Sequence, residues 1–188
     1  IAKGKIMTTI GKISQASVRI GDNAFDGIVD EVEIPALASE FGDDESLGLA
    51  GRGKYWASFE ELEVSFTNKA FNADFQAAAS NHIESQQLQI RANVMNYENN
   101  DFDEHVPLEI TARIKFSETP GGNYTGKEHA EFEYTAVATA VRMDYDGRVI
   151  LDVDYGSNKY IVDGVDLFEK VRANLGQSTT PALLGASA

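Results

Sequence analysis

Pro107-Leu-Glu-Ile-Thr-Ala-Arg-Ile-Lys-Phe-Ser117 sets Leu108, Ile110, Ala112, Ile114 and Phe116 against Glu109, Thr111, Arg113 and Lys115. Strict alternation marks a strand that buries one face, because successive side chains leave a pleated sheet on opposite sides. The same period recurs in both directions. Towards the C-terminus, 129–145 reads as a long strand opening Glu131-Phe-Glu-Tyr134, and Asp146-Gly147 turns it into Val149, Leu151, Val153 and Tyr155. In its second half the apolar face passes to Val137, Val141 and Met143 across Ala136, Ala138 and Ala140. A bend, a bulge or burial on both sides would accommodate that shift.

Towards the N-terminus, 86–97 places Leu88, Ile90, Ala92 and Val94 opposite Gln89, Arg91 and Asn93, and 58–67 places Leu62, Val64 and Phe66 opposite Glu61, Glu63 and Ser65. Val18 and Ile20 open a first strand that Gly21-Asp22-Asn23 turns. Ile28–Ile34 follows, with Val32 and Ile34 facing away from Glu31 and Glu33, until Pro35 ends it. Two amphipathic helices are expected, one near 69–80 on Phe71, Phe75, Ala78 and Ala79, the other near 164–175 on Val165, Phe168, Val171 and Leu175, with Gly176 as its stop. Between strands, 35–57 carries Gly42, Gly48, Gly51 and Gly53 and is too long for an idle loop, so it should act outside its own domain. The tail 177–188 has neither period.

Composition narrows the function. The chain has 188 residues, 30 acidic against 16 basic side chains, a net charge of −14 and no cysteine. One domain with a sizeable core fits that length. Thiol nucleophiles, disulfides and thiolate metal sites are excluded, and an anionic surface is unsuited to gripping phosphate. No stretch is long and apolar enough for a membrane helix and no signal-peptide core opens the chain, so we expect a soluble protein made in a cytosol. Charge is segregated: residues 1–20 hold Lys3, Lys5, Lys12 and Arg19 without an acid, whereas 26–63 hold eleven acids against Arg52 and Lys54. Such asymmetry points to an oriented assembly.

No catalytic constellation emerges. His82, His105 and His129 lie beside no serine in a nucleophile arrangement, and His129-Ala-Glu131 has deaminase spacing without the required thiolates. Asp144, Asp146, Asp152 and Asp154 offer oxygen ligands but lack the calcium-loop spacing. The pairs Glu61/Glu63 and Glu131/Glu133 are i, i+2 neighbours on open strands, without the apolar pocket a glycosidase acid needs. Gly48-Leu-Ala-Gly51-Arg-Gly53 lacks the order of a phosphate cradle.

Three stretches together resemble the major tail tube proteins of contractile-tailed phages, relatives of the type VI secretion and R-type bacteriocin tube proteins. They are Ser17–Leu37 with its hairpin and hydrophobic-Pro-x-Leu ending, the glycine-rich 38–57 leading into Phe59–Phe66, and Arg142–Gly156 followed by Val162–Gly176. The resemblance runs from about residue 11 to 176. It implies a mainly β (α+β) fold, an antiparallel sandwich or barrel-like subunit with a flanking helix and a long extended loop, and an N-terminal extension at 1–10 and a C-terminal one at 177–188. It also implies hexameric rings stacked into a tube inside a contractile sheath, without catalysis or cofactor. The implied partners are further copies of the chain, the sheath, the tape measure, baseplate and tail terminator proteins, and DNA passing without specific binding. The implied place is the virion tail, assembled in the host cytoplasm.

Within that frame the exposed acids Glu31, Glu33, Glu61, Glu63, Glu109, Glu131 and Glu133 are candidates for the lumen, partly offset by Arg113 and Lys115. Ring-to-ring stacking falls to Glu40, Phe41, Asp43, Asp44, Leu47, Leu49, Arg52, Tyr55 and Trp56, a glycine-rich arm whose aromatics supply buried area. The competing reading is a monomeric β-sandwich that binds calcium or carbohydrate.

Overall fold

The computed structural model describes residues 9–44, 53–98, 101–121 and 131–178. Its centre is an antiparallel meander of β7 (Gln86–Glu98), β8 (Asp101–Glu118) and β9 (Phe132–Tyr145), with β1 (Thr9–Ile20) on the free side of β7. The expected alternation holds: Leu88, Ile90, Ala92 and Val94 of β7 and Ile110, Ala112, Ile114 and Phe116 of β8 are buried.

The shift of apolar face in β9 has a structural cause. Ile114 sits opposite Ala138 and Arg113 opposite Ala140, so Thr139 is an extra residue, a bulge. On its other side β9 pairs with β6 (Leu62–Asn68) up to Ala138 and with β10 (Arg148–Asp154) from Ala140 onward. The bulge is the branch point at which the strand changes neighbour. Asp146 (φ 50°) and Gly147 (φ 73°) form the expected turn into β10.

Residues 25–30 carry the chain across to β6, tied by Phe25 N–H to Val18 O (2.9 Å) and Asp30 N–H to Thr67 O (3.0 Å). The sheet thereby curls around one core fed by β1, β6, β7, β8 and β9. Helix α1 (Ala73–Ala79) lies where β6 and β8 end and β7 and β9 begin. Its fully buried Phe75 meets Phe25 (5.0 Å between centroids), Phe66 (5.8 Å) and Tyr134 (4.7 Å). Asn72 caps it by accepting the Phe75 N–H at 2.8 Å.

Several expectations are corrected. The strand expected over 28–34 shortens to β3 (Glu31–Glu33), paired with β6, and β2 is only Asn23–Ala24. Phe71 stays 58% exposed, outside the buried stripe of α1. The glycine-rich arm is a two-stranded ribbon of β4 (Ser39–Asp44) and β5 (Gly53–Phe59), because its backbone pairs with itself rather than with the main sheet. The C-terminal helix is shorter than expected. Asp163 (φ 52°) and Gly164 (φ 76°) repeat the Asp-Gly turn between β11 (Lys159–Val162) and β12 (Val165–Asp166), leaving α2 as Glu169–Asn174. Gly176, at φ 68°, is the stop the sequence announces.

Candidate assembly surfaces

Cross-strand partners project from the same face of a sheet. Glu31 lies opposite Thr67 and Glu33 opposite Ser65 across β3–β6, while Thr67 lies opposite Glu133 and Glu63 opposite Val137 across β6–β9. Glu31, Glu33, Glu63 and Glu133 therefore emerge together on the face opposite Val64 and Phe66, and all four are exposed. Glu31 and Glu133 flank Thr67 at two strand spacings, roughly 10 Å, beyond the ~8 Å Debye length of physiological salt. Their repulsion is largely screened, so a single subunit tolerates the row. Glu61 and Glu131 are exposed immediately before β6 and β9.

Glu109 lies elsewhere. It faces Arg91 across β7–β8, is half-buried, and accepts from Arg91 (3.4 Å) and Gln89. The outward residues of β1, β7 and β8 around it include Arg19, Arg91, Arg113 and Lys115. The outer surface of the sheet thus carries an acidic patch on β3–β6–β9, bordered by Lys115, which lies opposite Val137 as Glu63 does, and a mixed, more basic patch on β1–β7–β8. Period-two patterning finds Glu31, Glu33, Glu61, Glu63, Glu131 and Glu133 exposed, overstates the exposure of Glu109, and carries no information on which of these acids lie near one another.

The β4–β5 ribbon holds Glu40, Phe41, Asp43, Tyr55 and Trp56, with the Asp44 backbone opposite Gly53 as its last pair. Leu47, Leu49 and Arg52 lie outside the described residues. Phe41 and Tyr55 are more than half exposed, and Glu40 accepts from Ser58 Oγ at 3.0 Å. Trp56 has a second task. Its ring meets Phe59 (5.1 Å) and Phe168 (5.5 Å), and Phe59 also contacts Tyr155 (5.8 Å) and Tyr160 (4.9 Å). This aromatic cluster clamps the base of the ribbon to β10, β11 and α2. Tyr155 donates its hydroxyl to Glu60 O at 2.9 Å, and burial pushes its phenol pKa up, which keeps the donor protonated.

Of the expected apolar stripe of α2 only Phe168 packs, against Trp56, Phe59 and Tyr160, and charge supplies the rest of the hold. Val165, Leu167, Val171 and Leu175 are exposed, whereas Arg172 is buried. Its Nη1 donates to Asn158 O (2.9 Å) and Asp166 Oδ1 (3.2 Å), and its Nη2 pairs with the other Asp166 oxygen. Hydrogen bonding to Arg172 holds the Asp166 carboxyl below its ordinary pKa, and Asp166 in turn raises that of Arg172. Sequence patterning missed this pair because a buried arginine breaks the rule on which patterning rests.

Three of the acids near the hairpin, Asp144, Asp152 and Asp154, are committed to cations. Asp152 pairs with Lys159 at 2.8 Å and Arg142 at 3.7 Å, both partners of the Lys159 pair being within 1% of full burial. Asp144 takes two hydrogen bonds from Arg142 (2.7 and 2.9 Å), the main reason the Arg142 pKa is raised. Asp154 faces Arg113 at 3.8 Å and accepts the Gly156 N–H at 2.9 Å. Among the described residues no group of acids or histidines is arranged to hold a metal ion. His82 bonds Thr119 (2.8 Å) and His105 bonds Asn93 (2.9 Å), whereas His129 lies outside the described residues.

Two strand edges are open. Beyond Leu108, which faces the last residue of β9, Asp101–Pro107 of β8 has β7 as its one partner strand among the described residues. On the far side of β7, Thr9–Gln15 of β1 likewise has β7 as its one partner strand among the described residues. The result is a three-stranded flap with both edges bare, and Ile10, Ile13 and Phe102 on it are about half exposed or more.

The family model described as phage tail tube protein FII matches residues 10–176, from β1 through the end of α2. The tail tube protein of Escherichia phage P2 is 21% identical over 169 residues, spanning 88% of this chain and 96% of that protein. Among solved structures, a chain of the sheath–tube complex of an extracellular contractile injection system, PVC, in its extended state gives a TM-score of 0.51 at 14% identity, covering 69% of this chain and 88% of that one. A chain of the sheath/tube terminator of that system gives 0.50 at 13%, covering 69% and 93%.

Proposed function

The chain belongs to the phage tail tube protein FII family and is a structural tail tube protein; from that premise we propose that its copies close into hexameric rings that stack as the inner tube of a contractile tail and conduct the genome. The observation that carries this is the extent of the family match, which takes in every described element from β1 to α2. Residues 11–176 are the tube domain, with 1–10 and 177–188 as extensions. The bare edges of the flap support self-assembly, since unpaired backbone donors and acceptors invite pairing and ring closure by heterologous contacts removes them.

Three roles follow for the mapped surfaces. The row Glu31, Glu33, Glu63 and Glu133, with Glu61 and Glu131 beside it, faces the lumen, where a negative wall lets phosphate pass without adhering. Glu109, neutralised by Arg91, contributes least. The β4–β5 ribbon reaches from one ring to the next through Phe41 and Tyr55, with Glu40, Asp43, Asp44, Leu47, Leu49 and Arg52 along its length and Trp56 as its anchor. Around the tube lies a sheath, and its further partners are the tape measure, baseplate and terminator proteins. The subunit is assembled in the host cytoplasm and works without catalysis.

Purified chain at high concentration, viewed by negative-stain microscopy beside size-exclusion chromatography, tests the reading. Rings or tubes with a central channel are expected. A strictly monomeric chain that takes up calcium or sugar would favour the binding-module reading instead.

A further inference from the structure

We propose that the segment after Ser178 folds back within its own copy and seats Pro181-Ala-Leu-Leu184 in the aromatic cleft at the base of the β4–β5 ribbon. Residues 179–188 lie outside the described ones, and the family match stops at residue 176, so nothing about the family assigns this segment a place. The cleft measures about 200 Å³ and opens between Trp56, Ala57 and Phe59 on one side and Tyr155, Asn158 and Phe168 on the other. Trp56 meets Phe59 and Phe168 edge-on and still stays 44% exposed. An apolar wall of that kind gains free energy when an aliphatic side chain displaces its water.

The backbone delivers the segment to this place. Gly176 (φ 68°) reverses the chain after α2, with its own N–H on Ala173 O (3.1 Å) and that of Gln177 on Arg172 O (2.9 Å). The reversed chain is then fastened beside the cleft. Asn158, which lines it, donates its side-chain amide to Gln177 Oε1 at 3.1 Å, and the buried Arg172 donates from Nε to Ser178 O at 3.2 Å. The five residues from Ser178 to Leu183 extend at most roughly 17 Å. That far exceeds the 5.1 and 5.5 Å between the Trp56 ring and those of Phe59 and Phe168, so no second copy is needed.

Charge selects the same occupant. Lys159 and Asp154 also line the cleft, but Lys159 pairs with Asp152 at 2.8 Å and Asp154 faces Arg113 at 3.8 Å. With its charges committed, the cleft suits a neutral guest. Residues 177–188 contain no charged side chain, whereas 1–8 carry Lys3 and Lys5. Pro181 has less backbone freedom to surrender on docking than another residue would. A seated segment closes the clamp over Trp56 and braces the ribbon. Bracing bears on stacking only through the tube reading above, on which the docking itself does not depend.

Trp56 is the single tryptophan and the chain has no cysteine, so two probes report cleanly. In the full chain, Leu183→Asp with Leu184→Asp should raise acrylamide quenching of Trp56 at least about twofold, because a carboxylate without a partner is expelled from an apolar cleft. Ala57→Cys with Ala182→Cys, oxidised at dilute protein, should close a disulfide within single chains, and adding the two aspartates should slow that closure at least about tenfold. Quenching unchanged by the aspartates, or closure equally fast with them, overturns the docking. Covalent dimers in place of closed single chains overturn it in favour of a neighbour's cleft. The aspartate variant should also need a several-fold higher concentration to form tubes. Tubes at the wild-type concentration overturn the bracing alone, and a wild-type chain that never assembles while both probes respond overturns the tube reading and leaves the docking standing.

Discussion

Two buried charges matter more to this subunit than most of its exposed ones. Lys159 and Asp152 are removed from water together, and their 2.8 Å contact, with the longer one from Arg142 to Asp152, offsets that desolvation. Lys159→Met should cost about 3–5 kcal/mol in chemical denaturation because it leaves the buried carboxylate with only the longer Arg142 contact, while Lys159→Met with Asp152→Leu should recover most of that loss. A double variant no better than the single would show that packing, not charge, sets the cost. Asp166 makes a pH prediction. Its carboxyl is held below the unfolded value of about 3.9, so its stabilising effect is complete above roughly pH 4 and is lost as pH falls through the lower folded pKa. Trp56, the single tryptophan, sits against Phe168 beside α2 and reports the change by fluorescence. Asp166→Asn should abolish that acid step; an unchanged step in the variant assigns it to another group.

Among the elements, the β4–β5 ribbon is separable from the core. Its strands pair with each other, and it is fastened at its base through Trp56, Phe59, Tyr155 and Phe168. Deleting residues 42–51 keeps that clamp, so the shortened subunit should unfold with nearly wild-type cooperativity in circular dichroism yet form no long tubes in the microscope. Normal tubes from the deletion would transfer stacking to another surface, such as the exposed Val165, Leu167, Val171 and Leu175. The two Asp-Gly turns show how legibility varies between like elements. Asp146-Gly147 stood between two alternating runs and was readable as a hairpin, whereas Asp163-Gly164 precedes a short strand whose residues also fit a helical stripe.

At the level of the whole molecule, function turns on which face meets which neighbour. Replacing Glu31, Glu33, Glu63 and Glu133 by Lys changes only exposed positions, so folding should shift little. Tubes of that variant should retain DNA, with retention falling steeply as salt rises, whereas wild-type tubes should not. Equal DNA release by both would place the row outside the lumen. The sequence by itself determined the strand-rich class, the inward set on β6, β7 and β8, the first hairpin, the anionic surface and the tube family, because period-two burial, turn chemistry and motif order are local properties. Only the tertiary structure decided that Thr139 is a bulge at which β9 changes partner, that Glu109 is paired off from the other acids, that Arg172 joins Phe168 in holding α2, and that two edges of one flap have no second partner strand among the described residues. Each of these depends on the register between strands distant along the chain, and no local pattern encodes which long-range partner a residue meets.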